Sequence, residues 1–300
     1  MCGIVGLHLR NEDLYPELGR LLAGMLCEME DRGADSAGVA VYGDPIWTPR
    51  GTATVSLLEA TPDDEAHLKA ALDDHADIDD PALTWVDEVL LVTARADADL
   101  LNATVRTAVP NALAAGFGES LTVLKGVGHP RELAKRWRLE DAQGWQGVGH
   151  TRMATESAVT PSGCHPYAVG SDQCLVHNGS FSNHATIRRD LRALGVEFDS
   201  ENDTEVGARY VAQQLAEGYD VETALKKLCG AFDGFYTLLV SNKHSFAVVR
   251  DAIACKPAII AETPDWVAMA SEYRALAGLP GVENAAIWEP EPEVVYAWTY

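Results

Sequence analysis

The chain has 300 residues, and 47% of them are hydrophobic, which is enough for a large buried core. Its 45 acidic residues outnumber its 23 Lys and Arg residues, so the formal net charge is −22 and we expect neither nucleic acid nor a membrane surface as a partner. The apolar runs are too short to span a bilayer, the first ten residues do not resemble a signal peptide, and the six cysteines are scattered. These features predict a soluble cytoplasmic protein with reduced thiols.

The predicted elements run as strands, then helices, then strands. The chain begins with a β-branched strand at residues 3–9, an amphipathic helix at residues 16–29 and a strand at residues 37–42. In the middle of the chain we predict strands at residues 88–93 and 121–124, with a helix at 100–115 that is broken near Pro110. A strand at 173–177 ends in an Asn-Gly turn and is followed by helices at 182–194 (capped by Ser182), 204–215 and 221–228. The last predicted strands are at 234–241, 245–249, 258–261 and 267–270. Because helices and strands do not alternate, we predict an α+β fold with antiparallel sheets.

The negative charge is concentrated in the middle of the chain. Residues 59–99 contain 13 acidic residues against two basic ones. We interpret the run at residues 73–81 as a solvated linker or helix end rather than a metal site, because such blocks repel themselves and stay hydrated. We therefore predict an inserted acidic α/β subdomain at residues 50–145, within a domain formed by residues 1–49 and 146–300.

Cys2 is the first candidate for a catalytic residue. Removal of Met1 would leave a free α-amine on the residue that carries the thiol. The unperturbed pKa values of an α-amine and a thiol are about 8 and about 8.5, so the amine can accept the thiol proton without a histidine. The alternative is that Cys2 is an ordinary small hydrophobic residue at the chain end.

Two polar segments each carry a candidate arginine. Residues 31–38 (DRGADSAG) predict a tight polar loop around the guanidinium group of Arg32. The alternative is that this segment is an ordinary helix-to-strand turn with an internal Arg–Asp pair. In residues 149–155 (GHTRMAT), Arg152 lies at a predicted strand end, where it could bind a carboxylate bidentately or form a structural ion pair. We interpret His150 in the same segment as a hydrogen-bonded core histidine rather than a catalyst.

Two further segments offer polar groups for a substrate. The side-chain amide of Asn178 and the N–H of Gly179 are the donors that a tetrahedral oxyanion needs, although Asn-Gly is also a common turn. Asp203 precedes a predicted helix, where its carboxylate could accept an α-ammonium group or, like Asn202, simply cap the helix.

Five short motifs, taken in this order, resemble those of the class II glutamine amidotransferases. They are residues 2–6 (CGIVG), 32–38 (RGADSAG), 149–155 (GHTRMAT), 177–179 (HNG) and 203–205 (DTE). Residues 270–276 (ASEYRAL) also resemble the segment that follows the last core strands in that family. The resemblance implies a four-layer αββα sandwich of the N-terminal nucleophile hydrolase type. Within the family, residues 152–157 and 175–184 resemble the stand-alone glutaminase subunit of glutamate-synthase-like complexes such as methylamine–glutamate N-methyltransferase.

The resemblance also implies a role for each candidate residue. Cys2 would attack the side-chain amide of glutamine, with its own α-amine as the base, and form a glutamyl thioester that water hydrolyses. Asn178 and Gly179 would stabilise the oxyanion. Arg152 would bind the α-carboxylate of glutamine and Asp203 its α-ammonium group, with Thr155 close to these binding groups. Arg32 would order the loop beside the nucleophile. Many relatives have Trp at the position of Met153 and His at that of Glu156, so the wall of the glutamine pocket differs here.

The ammonia released would leave for a synthase subunit on another polypeptide. The sequence has no phosphate loop, no dinucleotide-binding glycine motif after a strand and no Fe–S cysteine run, so we expect a hetero-oligomer with a glutamate-synthase-like partner. We expect no metal and no organic cofactor in this chain, because its histidines and cysteines are dispersed. Two alternatives remain: a stand-alone hydrolase of γ-glutamyl amides, and a non-catalytic subunit that binds glutamine as a regulator.

Overall fold

The computed structural model describes residues 2–153 and 159–299. Its strands are β1 (Gly3–Leu9), β2 (Ser36–Tyr42), β3 (Ala53–Leu58), β4 (Asp79–Val86), β5 (Val89–Arg95), β6 (Leu113–Gly118), β7 (Leu121–Val127), β8 (Gln146–Arg152), β9 (Tyr167–Gly170), β10 (Gln173–Phe181), β11 (Gly234–Asn242), β12 (Ser245–Arg250), β13 (Ile259–Glu262), β14 (Trp266–Ala270), β15 (Ala286–Trp288) and β16 (Tyr296–Thr299). Its α-helices are α1 (Leu18–Cys27), α2 (Asp64–Asp73), α3 (Ala98–Ala108), α4 (Pro130–Arg136), α5 (His184–Ala193), α6 (Asp203–Ala216) and α7 (Val221–Ala231). Short 3-10 helices include Glu30–Arg32 and Tyr273–Ala275.

Two antiparallel sheets pack face to face in the centre of the molecule. One has seven strands in the order β15-β13-β14-β1-β8-β2-β7, and the other has five in the order β16-β12-β11-β10-β9. The sheets approach closely at Gly6 of β1, where an added Cβ would lie 2.4 Å from Cδ1 of Leu239. The hydroxyl of Tyr42 donates to the carbonyl of Ser241 across the same interface, at 3.1 Å. The residues between the sheets are therefore the main hydrophobic core.

Helices cover the outer faces of the two sheets. On the seven-stranded sheet, α1 buries Leu18, Leu22 and Met25 at three- and four-residue spacing, as the apolar periodicity predicts. On the five-stranded sheet, α6 and α7 bury Val211 and Leu225 in a second hydrophobic cluster. The result is the predicted αββα order of layers. Every helix within residues 2–153 and 159–299 is too short or too polar to cross a lipid bilayer.

A third sheet, in the order β4-β5-β3-β6, is built from the segment between β3 and β6. The helices α2 and α3 pack on it around Val55, Leu68 and Leu101. The next strand, β7, pairs with β2 as an edge of the seven-stranded sheet, although it belongs to the segment 50–145 that we predict as an insert. The division of the chain into domains at residues 50 and 145 stays a prediction.

Three local predictions are wrong. The predicted break near Pro110 is present, since α3 ends at Ala108, but the chain does not return to a helix after it, and residues 113–115 begin β6. The Asn-Gly pair lies inside β10 and not in a turn, since Gly179 adopts a φ of +147° and pairs with Tyr236. The N-cap of α5 is Asn183 and not Ser182, whose backbone N–H donates to the carbonyl of Asp233.

Candidate active site

Cys2 lies half-buried just before β1, and side chains from two distant segments hold its backbone. Nε of Arg32 donates to the carbonyl oxygen of Cys2 at 2.9 Å, and Nδ2 of Asn178 donates to the same oxygen at 3.0 Å. The next residue, Gly3, pairs with Thr151 of β8, and a Cβ on Gly3 would lie 2.8 Å from the Thr151 hydroxyl. The structure therefore brings three of the predicted site residues together at one carbonyl group.

Arg32 connects this carbonyl to an acidic side chain that the sequence analysis missed. Its Nη1 donates to Oε1 of Glu272 at 2.6 Å, and Glu272 in turn pairs with Nε of Arg274 at 3.0 Å. Arg274 also donates to Asp31 at 3.0 Å, so both arginines lie in one ionic network. The signal that could have found Glu272 is its place in the motif at residues 270–276, which follows the last strand of the core.

Asn178 and Gly179 occupy the part of β10 that faces Cys2. The amide nitrogen of Asn178 carries two hydrogens, so one remains for another acceptor when the other is donated to Cys2. Gly179 is exposed, and an added Cβ would lie 2.0 Å from the carbonyl oxygen of Phe235. Only glycine fits this position, because both the positive φ and the contact with the neighbouring strand exclude a side chain.

Asp203 is the first residue of α6 and is bonded to β10. Its Oδ2 accepts the backbone N–H of Phe181 at 2.8 Å, whereas the helix cap is Asn202, which accepts the N–H of Thr204. Phe181 lies three residues beyond Asn178, so the Cα atoms of these two residues are about 10 Å apart along the strand. The carboxylate of Asp203 therefore lies further along the same strand, away from Cys2.

Arg152 is buried at the end of β8. Its backbone pairs with Ser36, and Gly33 packs so closely that an added Cβ would lie 2.5 Å from the carbonyl carbon of Arg152. Thr151, the preceding residue, pairs with Gly3, so Arg152 follows directly on the strand neighbour of the nucleophile segment. Thr155, which the family resemblance also implies, lies outside the described residues.

Three buried histidines lie behind the predicted site. His165 and His177 both contact the hydroxyl of Thr204, at 3.0 and 2.9 Å, and His150 is bonded to the carbonyl of His177 at 3.2 Å. Burial lowers the pKa of His150 to about 3 and that of His177 to about 4, so both rings are neutral at pH 7. His150 is thus a hydrogen-bonded core histidine, as predicted. Among the described residues, no three His, Cys, Asp or Glu side chains are arranged to hold a metal ion.

Comparison with known proteins identifies the family. The sequence model of a protein family described as a glutamine amidotransferase domain matches residues 150–278 of this chain. The chain is 48% identical over 303 residues to the glutamine amidotransferase-like protein GlxB of Rhizobium meliloti (strain 1021), and the match covers 100% of this chain and 99% of that protein. The chain belongs to the class II glutamine amidotransferases. This amidotransferase is an enzyme of that family, as predicted.

Two further similar proteins are more distant in sequence, and each is longer than this chain. This amidotransferase is 30% identical over 174 residues to the amidophosphoribosyltransferase of Methanocaldococcus jannaschii, a match that covers 56% of this chain and 36% of that protein. Its fold is similar to that of the glutamine phosphoribosylpyrophosphate amidotransferase from B. subtilis, with a TM-score of 0.60 and 18% identity. That match covers 99% of this chain and 49% of the solved chain, so the amidotransferase spans about half of that structure. The likeness confirms the predicted fold.

Proposed function

We propose that this chain hydrolyses glutamine to glutamate and ammonia, with Cys2 as the nucleophile. The observation that carries this proposal is the pair of hydrogen bonds from Arg32 and Asn178 to the Cys2 carbonyl. These bonds fix the backbone of the residue that must approach the substrate, and correct positioning of a nucleophile accounts for much of an enzyme's rate. The remaining amide hydrogen of Asn178 lies beside Cys2, where an oxyanion would form.

The chemistry needs a free amino terminus on Cys2. Once Met1 is removed, the α-amine accepts the thiol proton, and the sulfur attacks the side-chain amide carbon of glutamine. The proton then passes to the departing nitrogen, which leaves as ammonia, and a glutamyl thioester remains. Water hydrolyses the thioester, and glutamate and the free thiol are restored.

The α-amino-acid end of the substrate would bind between the end of β8, which carries Arg152, and the start of α6, which carries Asp203. We assign the α-carboxylate to Arg152 and the α-ammonium group to Asp203, with Thr155 nearby, because these charges are opposite to those of glutamine. Arg32 would order the loop beside Cys2. Its Nη2 atom is buried and has no hydrogen-bond partner within residues 2–153 and 159–299, which leaves one donor for the substrate.

We also propose that the ammonia is used by a separate, glutamate-synthase-like subunit, as in the synthesis of N-methylglutamate. The support for this acceptor is the motif resemblance at residues 152–157 and 175–184. Glutamate release is therefore expected to rise when the partner subunits are present. An equal rate with and without them would argue for the stand-alone hydrolase of γ-glutamyl amides.

The decisive experiment measures glutamate release by the purified chain. Cys2→Ala is expected to abolish the activity, whereas Cys255→Ala, which removes an exposed thiol, is expected to keep it. Mass spectrometry of the same sample should show a chain that begins at Cys2. Residual activity in the Cys2 variant would overturn the assignment, and a retained Met1 with no turnover would favour the regulatory subunit.

A further inference from the structure

A cavity of about 190 Å³ lies between the third sheet and the five-stranded half of the core. Residues of α3 and β6 form one wall, and residues of β7, β9 and α6 form the other. Its polar lining residues include Asn102, Lys125, Tyr167 and the exposed Glu197, together with the charged side chains of Arg106, Asp199, Glu205 and Arg209. Among the described residues of the proposed glutamine site, Cys2, Arg32, Arg152, Asn178 and Asp203 do not line this cavity.

Two of the three cations in the cavity wall are already neutralised. Arg106 forms a bidentate pair with Asp199, at 2.6 and 3.2 Å. Arg209 donates to Asp199 at 2.9 Å and to Glu205 at 3.1 Å. These two guanidinium groups and two carboxylates therefore balance each other, and Glu205 accepts further bonds from the backbone of Asp199 and Ser200.

Lys125 is the cation that remains. Its side chain is 4% exposed, and its Nζ lies 4.8 Å from the ring centroid of Tyr167. In the part of the chain that the structure describes, no acceptor lies within hydrogen-bond distance of this Nζ. Burying an ammonium group without a partner is costly, and burial lowers the pKa of Lys125 to about 8. The cavity thus presents one buried ammonium group that has no ion-pair partner among the described residues.

A second polar atom in the cavity wall also lacks a partner. Oδ1 of Asn102 is buried and accepts no hydrogen bond from any described residue. Most of the wall is polar, and Leu113 and Phe117 of β6 contribute apolar surface to it. A cavity of about 150 Å³ holds benzene, so this one has room for a ligand of six or more non-hydrogen atoms.

We propose that this cavity is a second ligand site, which binds a small monocarboxylate that also carries a hydroxyl or amino group. The carboxylate pairs with Nζ of Lys125, and the hydroxyl or amino hydrogen is donated to Oδ1 of Asn102. A single negative charge fits, because Lys125 is the buried cation of the described wall that has no ion pair, whereas a dianion would be repelled by Asp199, Glu205 and the exposed Glu197. The short apolar part of the ligand lies against Leu113 and Phe117.

The probe for this site is L-lactate, which has the required carboxylate and hydroxyl group. Isothermal titration calorimetry of the full chain is expected to show one binding site. Lys125→Met, which keeps an unbranched side chain but removes the charge, is expected to weaken binding by at least about tenfold. Lys69→Met, which removes an exposed lysine on α2, is expected to leave the affinity unchanged.

Two more measurements test the proposed hydrogen bond between the ligand's hydroxyl group and Oδ1 of Asn102. Propionate lacks the hydroxyl group and is expected to bind several-fold more weakly than lactate to the parent chain. Asn102→Leu is expected to remove that difference, which keeps the test valid if the Lys125 variant fails to fold. Lack of lactate binding, or equal affinity in the parent chain and in both variants, would overturn the proposal. Because the readout is binding and not turnover, the outcome is independent of the glutaminase activity.

Discussion

The carbonyl oxygen of Cys2 accepts hydrogen bonds from two other residues of the candidate active site. Arg32 and Asn178 reach it from positions 30 and 176 residues away in sequence. Arg32 is only 8% exposed, and its guanidinium group is positioned by Glu272 at 2.6 Å. A buried arginine needs such a partner, because an unpaired charge in the protein interior is unfavourable. We therefore regard Glu272 as a positioning residue that acts on Cys2 through Arg32.

Replacement of this carboxylate tests the idea. Glu272→Gln removes the charge but keeps the shape, so Arg32 loses a charge-assisted hydrogen bond and holds Cys2 less firmly. The expected result is a fall in kcat of about tenfold with little change in KM for glutamine. Steady-state glutaminase kinetics provide the measurement, and Glu283→Gln, an exposed change nearby, is the matched control. A rise in KM alone would assign Glu272 to substrate binding instead.

At the scale of elements, the first turn of α6, the strand β10 and the loop before β9 meet at the hydroxyl of Thr204. The rings of His165 and His177 contact it, and His150 of β8 is bonded to the backbone of β10. The first turn of α6 is thereby attached to β10, the strand that carries Asn178. The rings are buried, and desolvation disfavours their charged forms. The packing of these elements therefore depends on neutral imidazoles.

This arrangement makes stability depend on pH. An unfolded histidine takes up a proton near pH 6.5, whereas burial lowers the pKa of His177 to about 4 in the folded chain. Unfolding therefore takes up protons in this window, and the stabilisation is complete above about pH 6.5 and is lost as the pH falls toward about 4. Urea unfolding across this range should show a falling free energy of unfolding.

The His177→Gln variant measures the contribution of one buried histidine to the proton uptake on unfolding. It is expected to take up about one proton fewer on unfolding at about pH 5, and so to show a shallower dependence on pH than the parent chain. His244→Gln, which removes an exposed ring, is the matched control. An unchanged slope in the His177 variant would contradict the proposed origin of the effect.

At the scale of the whole molecule, the three sheets meet at Asp172. This residue lies between β9 and β10, and its carboxylate accepts the backbone N–H groups of Glu119, Ser120 and Leu121, at 3.2, 2.8 and 3.0 Å. Those groups belong to the connection from β6 of the third sheet to β7 of the seven-stranded sheet. One buried side chain therefore links the five-stranded sheet to both of the others.

Asp172→Ala is expected to lower the free energy of unfolding by about 3 kcal/mol. The substitution leaves three N–H groups without their acceptor, and it also places alanine at a φ of +54°. Asp172→Asn keeps one acceptor and tolerates that backbone, so we expect about half of this loss. Urea unfolding monitored by circular dichroism is the measurement, with the exposed Asp190→Ala as control. Equal stabilities would show that the connection does not need this carboxylate.

The sequence by itself determined the family and much of the local structure. The motif order indicated the family. The spacing of apolar residues placed β1, α1 and the strands β11 to β14 close to their observed bounds. These features depend on hydrogen bonds and packing between residues near in sequence, so local patterns carry them. The order of strands and helices also indicated antiparallel sheets.

Only the tertiary structure decided which distant groups meet. Glu272 contacts Arg32 across 240 residues of sequence, and no local pattern encodes that contact. Asn178 lies in a strand and not in a turn because β11 offers a partner for Gly179. Lys125 lines a cavity together with residues of the third sheet and of α6, which are distant from it in sequence. Such contacts depend on how whole layers pack, and many long-range interactions must form together before any one of them is determined.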